Sequence, residues 1–315
     1  MTQYFVRRLL LLIPTVFLVS VFVFSIIRFF PGDVIVVLFR DADLTQADRA
    51  RERARLGLER PIHEQYAIWV ASVLRGDLGR SFFNKQPVLE EMKLRIPVTA
   101  ELGLLAILFG LVLAIPTGVV SAVRQDTWMD YLMRGFSIGA LSVPGFWIAT
   151  VVIIALTLWF RWIPSLTYVP LVKDPVENLK QFLIPAVILG ISMSGTLMRM
   201  TRTTLLEVLR QDYIRTAWAK GLRERAILGR HALRNALIPV VTILGVEVAR
   251  VVSASVVMET IFDLPGVGKY IVDTIVVRDY PAVQGINLFL AVFILVVNLL
   301  VDVSHGYLDP RVRFR

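Results

Sequence analysis

One short stretch begins like the metal-binding helix of zinc hydrolases. His63-Glu64 supplies the first two residues of the pattern His-Glu-x-x-His, in which two histidines one helical turn apart hold zinc and the glutamate acts as a base. Position 67, where the second histidine belongs, is alanine. The other two histidines, His231 and His305, lie far away along the chain, and no cysteine replaces them as a ligand. We therefore expect neither a bound metal nor a histidine-based catalytic centre.

A second stretch is similar to the end of a phosphate-binding loop. Gly268-Lys269 matches the Gly-Lys pair that holds nucleotide phosphates. However, Asp263 takes the place of the upstream glycine, and Tyr270 replaces the Ser or Thr that binds Mg²⁺. We therefore expect no ATP hydrolysis, and no enzyme activity, in this chain.

A third candidate is the pair formed by Glu247 and Arg250, which lie in the middle of an apolar run where ionised side chains are costly. Their spacing of three residues places them on one face of a helix, close enough for an ion pair. Two interpretations remain open. The pair either faces a polar crevice between helices, where the two charges neutralise each other, or lines a translocation path.

The composition indicates which class of protein holds these residues. The chain has 315 residues, of which 56% are hydrophobic and only 19% are charged, and its mean hydropathy is +0.67. Soluble domains average about a quarter charged residues, so this balance is typical of a membrane protein. The formal net charge of +9 does not require a nucleic acid partner, because basic residues of membrane proteins collect on the cytoplasmic side.

Six apolar stretches are predicted to cross the hydrocarbon layer, which needs about 20 residues per helix. The first is long for the apolar core of a signal peptide and no cleavage site follows it, so we predict an uncleaved transmembrane helix. The distribution of Lys and Arg in the short loops places both termini, and the loop between the fourth and fifth spans, in the cytoplasm. The predicted spans are Leu9–Phe30, Leu102–Val123, Gly135–Phe160, Phe182–Met198, Ala236–Val257 and Gln284–Val301.

The segment between the first two spans, residues 31–98, is predicted to be extracytoplasmic and helical. Thr45 and Asp48 have the spacing of a capping box at the start of a helix that ends at Gly57. A second helix is predicted to begin with Pro61 in its first turn and to end at Gly76.

The most basic part of the chain, Asp212–Pro239, lies between the fourth and fifth spans. Its pattern predicts two short helices. The first is capped by Asp212 and closed by Gly221, and the second, Leu222–Asn235, is amphipathic. Such a unit suits either of two roles, lying on lipid headgroups or docking into a groove on a cytoplasmic protein.

This segment resembles the cytoplasmic coupling loop, or EAA loop, of ABC-importer permeases. The similarity rests on Arg215–Gly221 (RTAWAKG) followed by Leu237–Pro239 (LIP), although Arg215 replaces the leading glutamate of the general motif. The whole chain resembles the first permease subunit of the dipeptide and oligopeptide uptake family. The stretches that carry this resemblance are Phe30–Asp33 (FPGD), Leu56–Pro61 (LGLERP), Gly76–Ser81 (GDLGRS), Asp212–Ala217 (DYIRTA), His231–Ala236 (HALRNA), Glu259–Phe262 (ETIF), Leu264–Gly268 (LPGVG) and Arg278–Pro281 (RDYP).

The resemblance implies an all-α integral membrane protein with the type I ABC-importer permease fold, six transmembrane helices and cytoplasmic termini. The implied parts are a cytoplasmic N-terminus with the first span (1–30), an extracytoplasmic helical segment (31–98), a permease core with a coupling loop at about 200–235 (99–306), and a cytoplasmic tail (307–315).

The resemblance also implies partners and site residues. The implied partners are a second homologous permease, two cytoplasmic ATPase subunits that use ATP and Mg²⁺, an extracytoplasmic solute-binding protein, and the lipid of the cytoplasmic membrane; no cofactor is expected on this chain itself. The residues assigned to the ATPase-coupling helix are Asp212, Tyr213, Thr216, Ala217, Lys220, Gly221 and Leu222. Those assigned to contact with the binding protein are Asp263, Pro265, Gly266, Arg278 and Asp279.

The implied function is ATP-driven import of di- or oligopeptides or a related small solute, with this chain forming half of the path. The main alternative is a secondary transporter or channel that works without an ATPase. That alternative predicts transport by the chain alone in liposomes, driven by an ion gradient.

Overall fold

The computed structural model describes residues 2–29, 35, 45–55, 57–165 and 167–308, and within these ranges the regular structure is helical apart from one isolated bridge between Arg80 and Pro87. A π-helical turn joins two of the helices at Ile227–Ala232. The helices are α1 (Thr2–Phe29), α2 (Gln46–Arg55), α3 (Ile62–Leu74), α4 (Val88–Val123), α5 (Trp128–Ser142), α6 (Gly145–Phe160), α7 (Pro175–Leu209), α8 (Asp212–Ala219), α9 (Glu224–Ala226), α10 (Leu233–Ile261), α11 (Val267–Val276) and α12 (Tyr280–Leu308).

Several of these helices are long and apolar enough to cross a membrane. Among the described residues four qualify by themselves, and the bent pair α5–α6 makes a fifth if it counts as one span. The apolar part of α1, Leu10–Ser25, is shorter. The chain is therefore a multi-pass membrane protein, while the sixth span and the orientation of the termini stay predictions. The four long stretches are Val88–Val123, Pro175–Leu209, Glu224–Ile261 and Tyr280–Val301.

The third predicted span, Gly135–Phe160, is wrong as a single helix. It consists of the later part of α5 and the whole of α6, which meet at an angle of 92°. Pro144 has no N–H for a helical hydrogen bond, and its ring disfavours helical backbone at Val143. Val143 is accordingly extended, with φ −101° and ψ 122°.

The fourth predicted span, Phe182–Met198, covers only the apolar middle of a 35-residue helix, α7. The helix begins seven residues earlier because Asp174 caps it. The Asp174 carboxylate accepts hydrogen bonds from the N–H groups of Val176 and Glu177 at 3.0 and 3.1 Å, and Pro175 occupies the first helical position. Polar helix ends of this kind lie outside a hydropathy window, which explains the difference in length.

The chain divides into two compact units, one formed by residues 1–98 and 265–296 and the other by 99–264 and 297–315. In the second unit α7 packs against α5, α6 and α10. Glycine lets α7 approach α4 closely, because a Cβ added at Gly190 would lie 2.9 Å from the carbonyl oxygen of Ala106. Small residues at such contacts allow helix backbones to pack closely in a membrane protein.

The first unit contains the two helices that the sequence predicts between the first two spans. Thr45 and Asp48 cap α2 reciprocally: the Thr45 hydroxyl donates to the Asp48 carboxylate at 2.6 Å, and the Asp48 N–H donates to the Thr45 hydroxyl oxygen at 3.3 Å. Gly57, with φ +69°, follows α2, and Gly76, with φ +81°, follows α3. Both predicted helices are confirmed, with Pro61 one position earlier than expected, at the cap of α3.

Helix α3 packs against α1 within the same unit through aromatic side chains. The rings of Tyr66 and Phe24 meet edge to face with centroids 5.2 Å apart, and Trp69 lies 5.7 Å from the Phe24 ring. The hydroxyl of Tyr66 is 2.8 Å from that of Ser20. Aromatic pairs of this geometry stabilise a contact beyond the area they bury.

Candidate functional site

The first helix of the basic segment is α8, and its inner face is anchored in the core of its own chain. Ile214 is fully buried and Ala217 is 7% exposed. These two residues belong to a cluster of buried side chains from α4, α7, α8, the π-helical turn and α10. Because this cluster is closely packed, a displacement of α8 acts directly on three long helices. The side chains that pack with Ile214 and Ala217 are Ala122, Leu205, Ile227, Ala232 and Ala236.

The end of α8 confirms the predicted glycine stop. The N–H of Leu222 donates to the Ala217 carbonyl oxygen at 3.3 Å, and the N–H of Gly221 donates to the Trp218 carbonyl oxygen at 2.9 Å. This is the Schellman arrangement, which requires a left-handed residue after the helix. Gly221 supplies it with φ +75°.

The predicted cap at the start of α8 is wrong by one residue. Gln211 occupies the cap position with extended backbone, and its side chain makes no capping bond. Asp212 is the first helical residue and forms an ion pair of 3.3 Å with Arg215. Its carboxylate still lies in the first turn, where the helix dipole favours a negative charge.

The predicted second helix, Leu222–Asn235, is wrong as a separate element. Helix α9 leads through the π-helical turn into α10, so the helical stretch Glu224–Ile261 continues for 38 residues and includes Pro239. The packing of Ile227, Ala232 and Ala236 in the cluster beneath α8 stabilises this stretch as one helix. A pattern of charges and glycines does not reveal such tertiary packing.

The outer face of α8 is open and carries aromatic groups. Tyr213 is 44% exposed, and its hydroxyl oxygen accepts a 2.9 Å hydrogen bond from the side-chain amide of Asn235. Trp218, which the sequence reasoning did not select, is 49% exposed. The signal that would have found it is a large aromatic residue flanked by two small alanines. The other predicted coupling residues on this surface, all exposed, are Asp212, Thr216, Lys220, Gly221 and Leu222.

Glu247 and Arg250 form the ion pair that their spacing predicts, with Arg250 Nη1 donating to Glu247 Oε1 at 2.7 Å. The two side chains differ in exposure, since that of Glu247 is 5% exposed and that of Arg250 is 65% exposed. Both line a cavity of about 280 Å³ whose wall comes from α5, α6, α7 and α10. The wall is mainly apolar and adds the hydroxyl groups of Ser192 and Thr196.

Two of the predicted binding-protein contacts, Asp263 and Arg278, terminate helices with left-handed backbone. Asp263 has φ +56° after α10, and the next N–H, of Leu264, donates to the Glu259 carbonyl oxygen at 2.9 Å. Arg278 has φ +57° after α11, where its own N–H donates to the Ile275 carbonyl oxygen at 3.1 Å. Both side chains are half-buried. The structure places Asp263 in the unit 99–264 and the other four predicted contacts in the other unit.

The remaining three predicted contacts lie at the ends of α11 and before α12. Pro265 is half-buried, and Gly266 is buried at the cap of α11. Asp279 is 2% exposed. Its carboxylate accepts hydrogen bonds from the hydroxyl of Ser81 and, at 3.0 Å, from the N–H of Phe82. Asp279 therefore holds the turn around residues 81–84 within this unit.

Beside this turn, Tyr270 of α11 is buried under a charged group. The guanidinium carbon of Arg95 lies 4.3 Å from the centre of its ring. Burial, together with the negative charges of Asp279 and Glu91, raises the pKa of the Tyr270 hydroxyl to about 12, while Arg95 opposes the rise. Among the described residues, the hydroxyl has no hydrogen-bond partner.

Sequence reasoning also missed a buried ion pair between Asp130 of α5 and Arg202 of α7. Arg202 Nε and Nη2 donate to the two oxygens of Asp130 at 2.8 and 2.7 Å. The hydroxyl of Ser121 and the N–H of Asp126 donate to the same carboxylate. No spacing rule connects residues on two separate spans, so the sequence carried no signal for this pair.

Comparison with known proteins assigns the chain to a family. The model of the family described as "Binding-protein-dependent transport system inner membrane component" matches residues 114–314, and the model of its N-terminal part matches residues 1–103. A relative from Brucella abortus (strain 2308), named as a peptide transport system permease, is 39% identical over 314 residues that cover 100% of both chains.

Two further relatives are similar along the whole chain. The dipeptide transport system permease protein of Escherichia coli (strain K12) is 35% identical over 338 residues that cover 100% of both chains. The di/tripeptide transport system permease protein of Pseudomonas aeruginosa (strain UCBPP-PA14) is 35% identical over 333 residues and 99% of each chain. The resemblance inferred from the motifs is thus confirmed: the chain belongs to the family of binding-protein-dependent transport system inner membrane components.

Proposed function

We propose that the chain is the permease subunit of an ATP-driven importer of di- or oligopeptides and forms half of its translocation path. The observation that carries this proposal is similarity along the whole chain to permeases whose names state dipeptide and di/tripeptide transport. The proposed partners are a second homologous permease, two cytoplasmic ATPase subunits that use ATP and Mg²⁺, and an extracytoplasmic solute-binding protein. The proposed location is the cytoplasmic membrane, with both termini in the cytoplasm.

In this proposal α8 and the three residues that follow it, Lys220, Gly221 and Leu222, dock into a groove on an ATPase subunit. The division of α8 into two faces supports the role, because Ile214 and Ala217 are buried in the chain while Tyr213 and Trp218 remain exposed. Aromatic side chains are enriched in protein interfaces. When ATP binding closes the ATPase pair, α8 moves, and the packed cluster carries that motion to α4, α7 and α10.

The path itself runs past the cavity that Glu247 and Arg250 line. A charged pair at membrane depth marks a functional position when it borders a cavity rather than lipid. On the outer side, Asp263 of the unit 99–264 is one proposed contact with the solute-binding protein. In the other unit, the half-buried Pro265 and Arg278, with the buried Gly266 between them in the chain, form a second proposed surface for this protein. Asp279 positions this surface through its bonds to Ser81 and Phe82.

The test is reconstitution of the chain with the proposed partner subunits. Proteoliposomes that contain the four membrane and ATPase subunits, supplied with the binding protein outside and ATP inside, are expected to accumulate radiolabelled dialanine. Vesicles without ATP, or without this chain, are expected not to do so. Accumulation by the chain alone under an ion gradient, with no ATPase present, would show a secondary transporter and overturn the proposal.

A further inference from the structure

We propose that Arg250 binds the carboxylate end of a peptide inside the cavity formed by α5, α6, α7 and α10. This inference rests on the proposed transport function and adds to it a ligand group and a residue that receives it.

The comparison of two ion pairs in the same unit supports this role. Arg202 donates hydrogen bonds from Nε and Nη2 to Asp130, and its side chain is only 18% exposed. This guanidinium therefore has a structural role. Arg250 donates to Glu247 through Nη1, and its side chain remains 65% exposed. A guanidinium carries five N–H donors in a planar fork. Arg250 therefore presents donors to the cavity that its pairing with Glu247 does not use.

The shape and lining of the cavity indicate the class of ligand. Its volume of about 280 Å³ lies just below the range of small-molecule pockets, about 300–1,000 Å³, which suits a dipeptide or one end of a longer peptide. The apolar wall accepts side chains of varied sequence. The Ser192 hydroxyl donates to the Ile188 carbonyl oxygen at 3.2 Å and the Thr196 hydroxyl bonds Glu247, so these groups face a peptide as hydrogen-bond acceptors. The one exposed cation on this wall, within the described residues, is Arg250, and a guanidinium matches a carboxylate in geometry and charge.

Glu247 limits the affinity of this site, so that a peptide occupies it only briefly. Its carboxylate is nearly buried beside Arg250, so it orients the guanidinium and neutralises part of its charge. A conducting site has to bind its cargo well enough to admit it and weakly enough to release it. The peptide carboxylate competes with Glu247 for the same cation, which limits the affinity of the site.

The test measures binding by the assembled transporter in lipid nanodiscs without the binding protein, so that selection by that partner is absent. Radiolabelled dialanine is displaced by unlabelled dialanine or by dialanine amide, which lacks the carboxylate. In the wild type, the acid is expected to compete about tenfold better than the amide, the effect of one charged hydrogen bond. In Arg250→Gln the two competitors are expected to be equal.

Two further variants distinguish loss of the carboxylate contact from loss of folding and from a general effect of removing an arginine. Glu247→Gln combined with Arg250→Gln leaves no unpaired buried charge, and this double variant is also expected to bind acid and amide equally. Arg199→Gln, which changes an exposed arginine of α7 outside the cavity wall, is expected to keep the tenfold preference. Equal competition in the wild type, a preference that survives in both Arg250 variants, or no measurable binding to the wild type would overturn the inference. ATP-driven uptake of dialanine by the wild type tests the transport function separately.

Discussion

The guanidinium of Arg202 holds the carboxylate of Asp130 through two hydrogen bonds, Nε to Oδ1 at 2.8 Å and Nη2 to Oδ2 at 2.7 Å. Asp130 is fully buried in the first turn of α5, and Arg202 lies two turns before the end of α7. Because Ser121 of α4 donates to the same carboxylate, this ion pair joins three helices near the cluster that anchors α8.

Removal of the Asp130 carboxylate is expected to destabilise the protein strongly. Asp130→Ala leaves the Arg202 guanidinium largely buried without a counter-charge, which costs about 3–5 kcal/mol. The matched control is Glu177→Ala, because Glu177 pairs with Lys180 on the same helix but both side chains are exposed. Exposed pairs contribute at most about 1 kcal/mol. Thermal unfolding in detergent compares the two variants, and similar small losses would contradict the structural role of the buried pair.

The two faces of α8 are expected to respond differently to substitution. Trp218→Ala changes a half-exposed side chain, so the permease is expected to remain stable while its affinity for the ATPase falls by about thirtyfold, the effect of one interface hot spot. Ala217→Glu places a charge in the buried cluster, so the permease itself is expected to lose stability.

Co-purification of the ATPase and thermal unfolding separate these outcomes. Trp159→Ala, at a 78% exposed tryptophan of α6, serves as the control and is expected to leave ATPase binding intact. Unchanged co-purification of the ATPase with Trp218→Ala would exclude this face from the interface.

Gly221→Val is expected to uncouple transport while the permease still inserts into the membrane. Left-handed backbone costs roughly 1–2 kcal/mol for a residue with a Cβ, and more for a β-branched side chain, so the Schellman turn at φ +75° opens and Leu222 is displaced. Gly229→Ala is the matched control, because the φ of Gly229 is not positive and an added Cβ meets nothing within 4 Å. The ratio of peptide transported to ATP hydrolysed checks the prediction, and a normal ratio in Gly221→Val would contradict it.

Local signals in the sequence predicted several helix ends. The Thr45–Asp48 capping box and the stops at Gly57 and Gly221 are present because each depends on atoms a few residues apart. The family motifs likewise predicted the family, an all-helical membrane protein and the position of α8.

Contacts between distant residues were not predictable in the same way. The Asp279 carboxylate is bonded to the Ser81 hydroxyl almost 200 positions away, so its burial is set by tertiary packing. The same holds for Ala217, which the resemblance assigned to the ATPase-coupling helix together with Tyr213 and which the structure buries. The angle of 92° at Pro144 was not predictable either, because a proline indicates where a helix breaks and the surrounding helices determine how far it bends.

The raised pKa of Tyr270 predicts that the protein loses stability at alkaline pH. Its pKa is about 12 in the folded protein against an ordinary value of 10.0, so between these values the unfolded chain loses the phenolic proton before the folded protein does. Fewer bound protons in the unfolded state mean that the free energy of unfolding falls as pH rises from about 10 to about 12. Tyr270→Phe removes this contribution and also a buried hydroxyl without a described partner. Unfolding of both proteins at pH 8 and pH 11 checks the prediction, and an equal decline in both would contradict it.

Exchange of the charges of Glu247 and Arg250 distinguishes an effect on stability from an effect on transport. Glu247→Arg or Arg250→Glu alone places two like charges three residues apart on α10, and each is expected to lower stability and transport. The exchanged double variant restores a neutral pair and is expected to recover most of the stability. It also leaves a carboxylate where the exposed guanidinium of Arg250 now faces the cavity, so peptide uptake is expected to remain low. Recovery of both thermal stability and uptake in the double variant would mean that mutual neutralisation is the whole role of the pair.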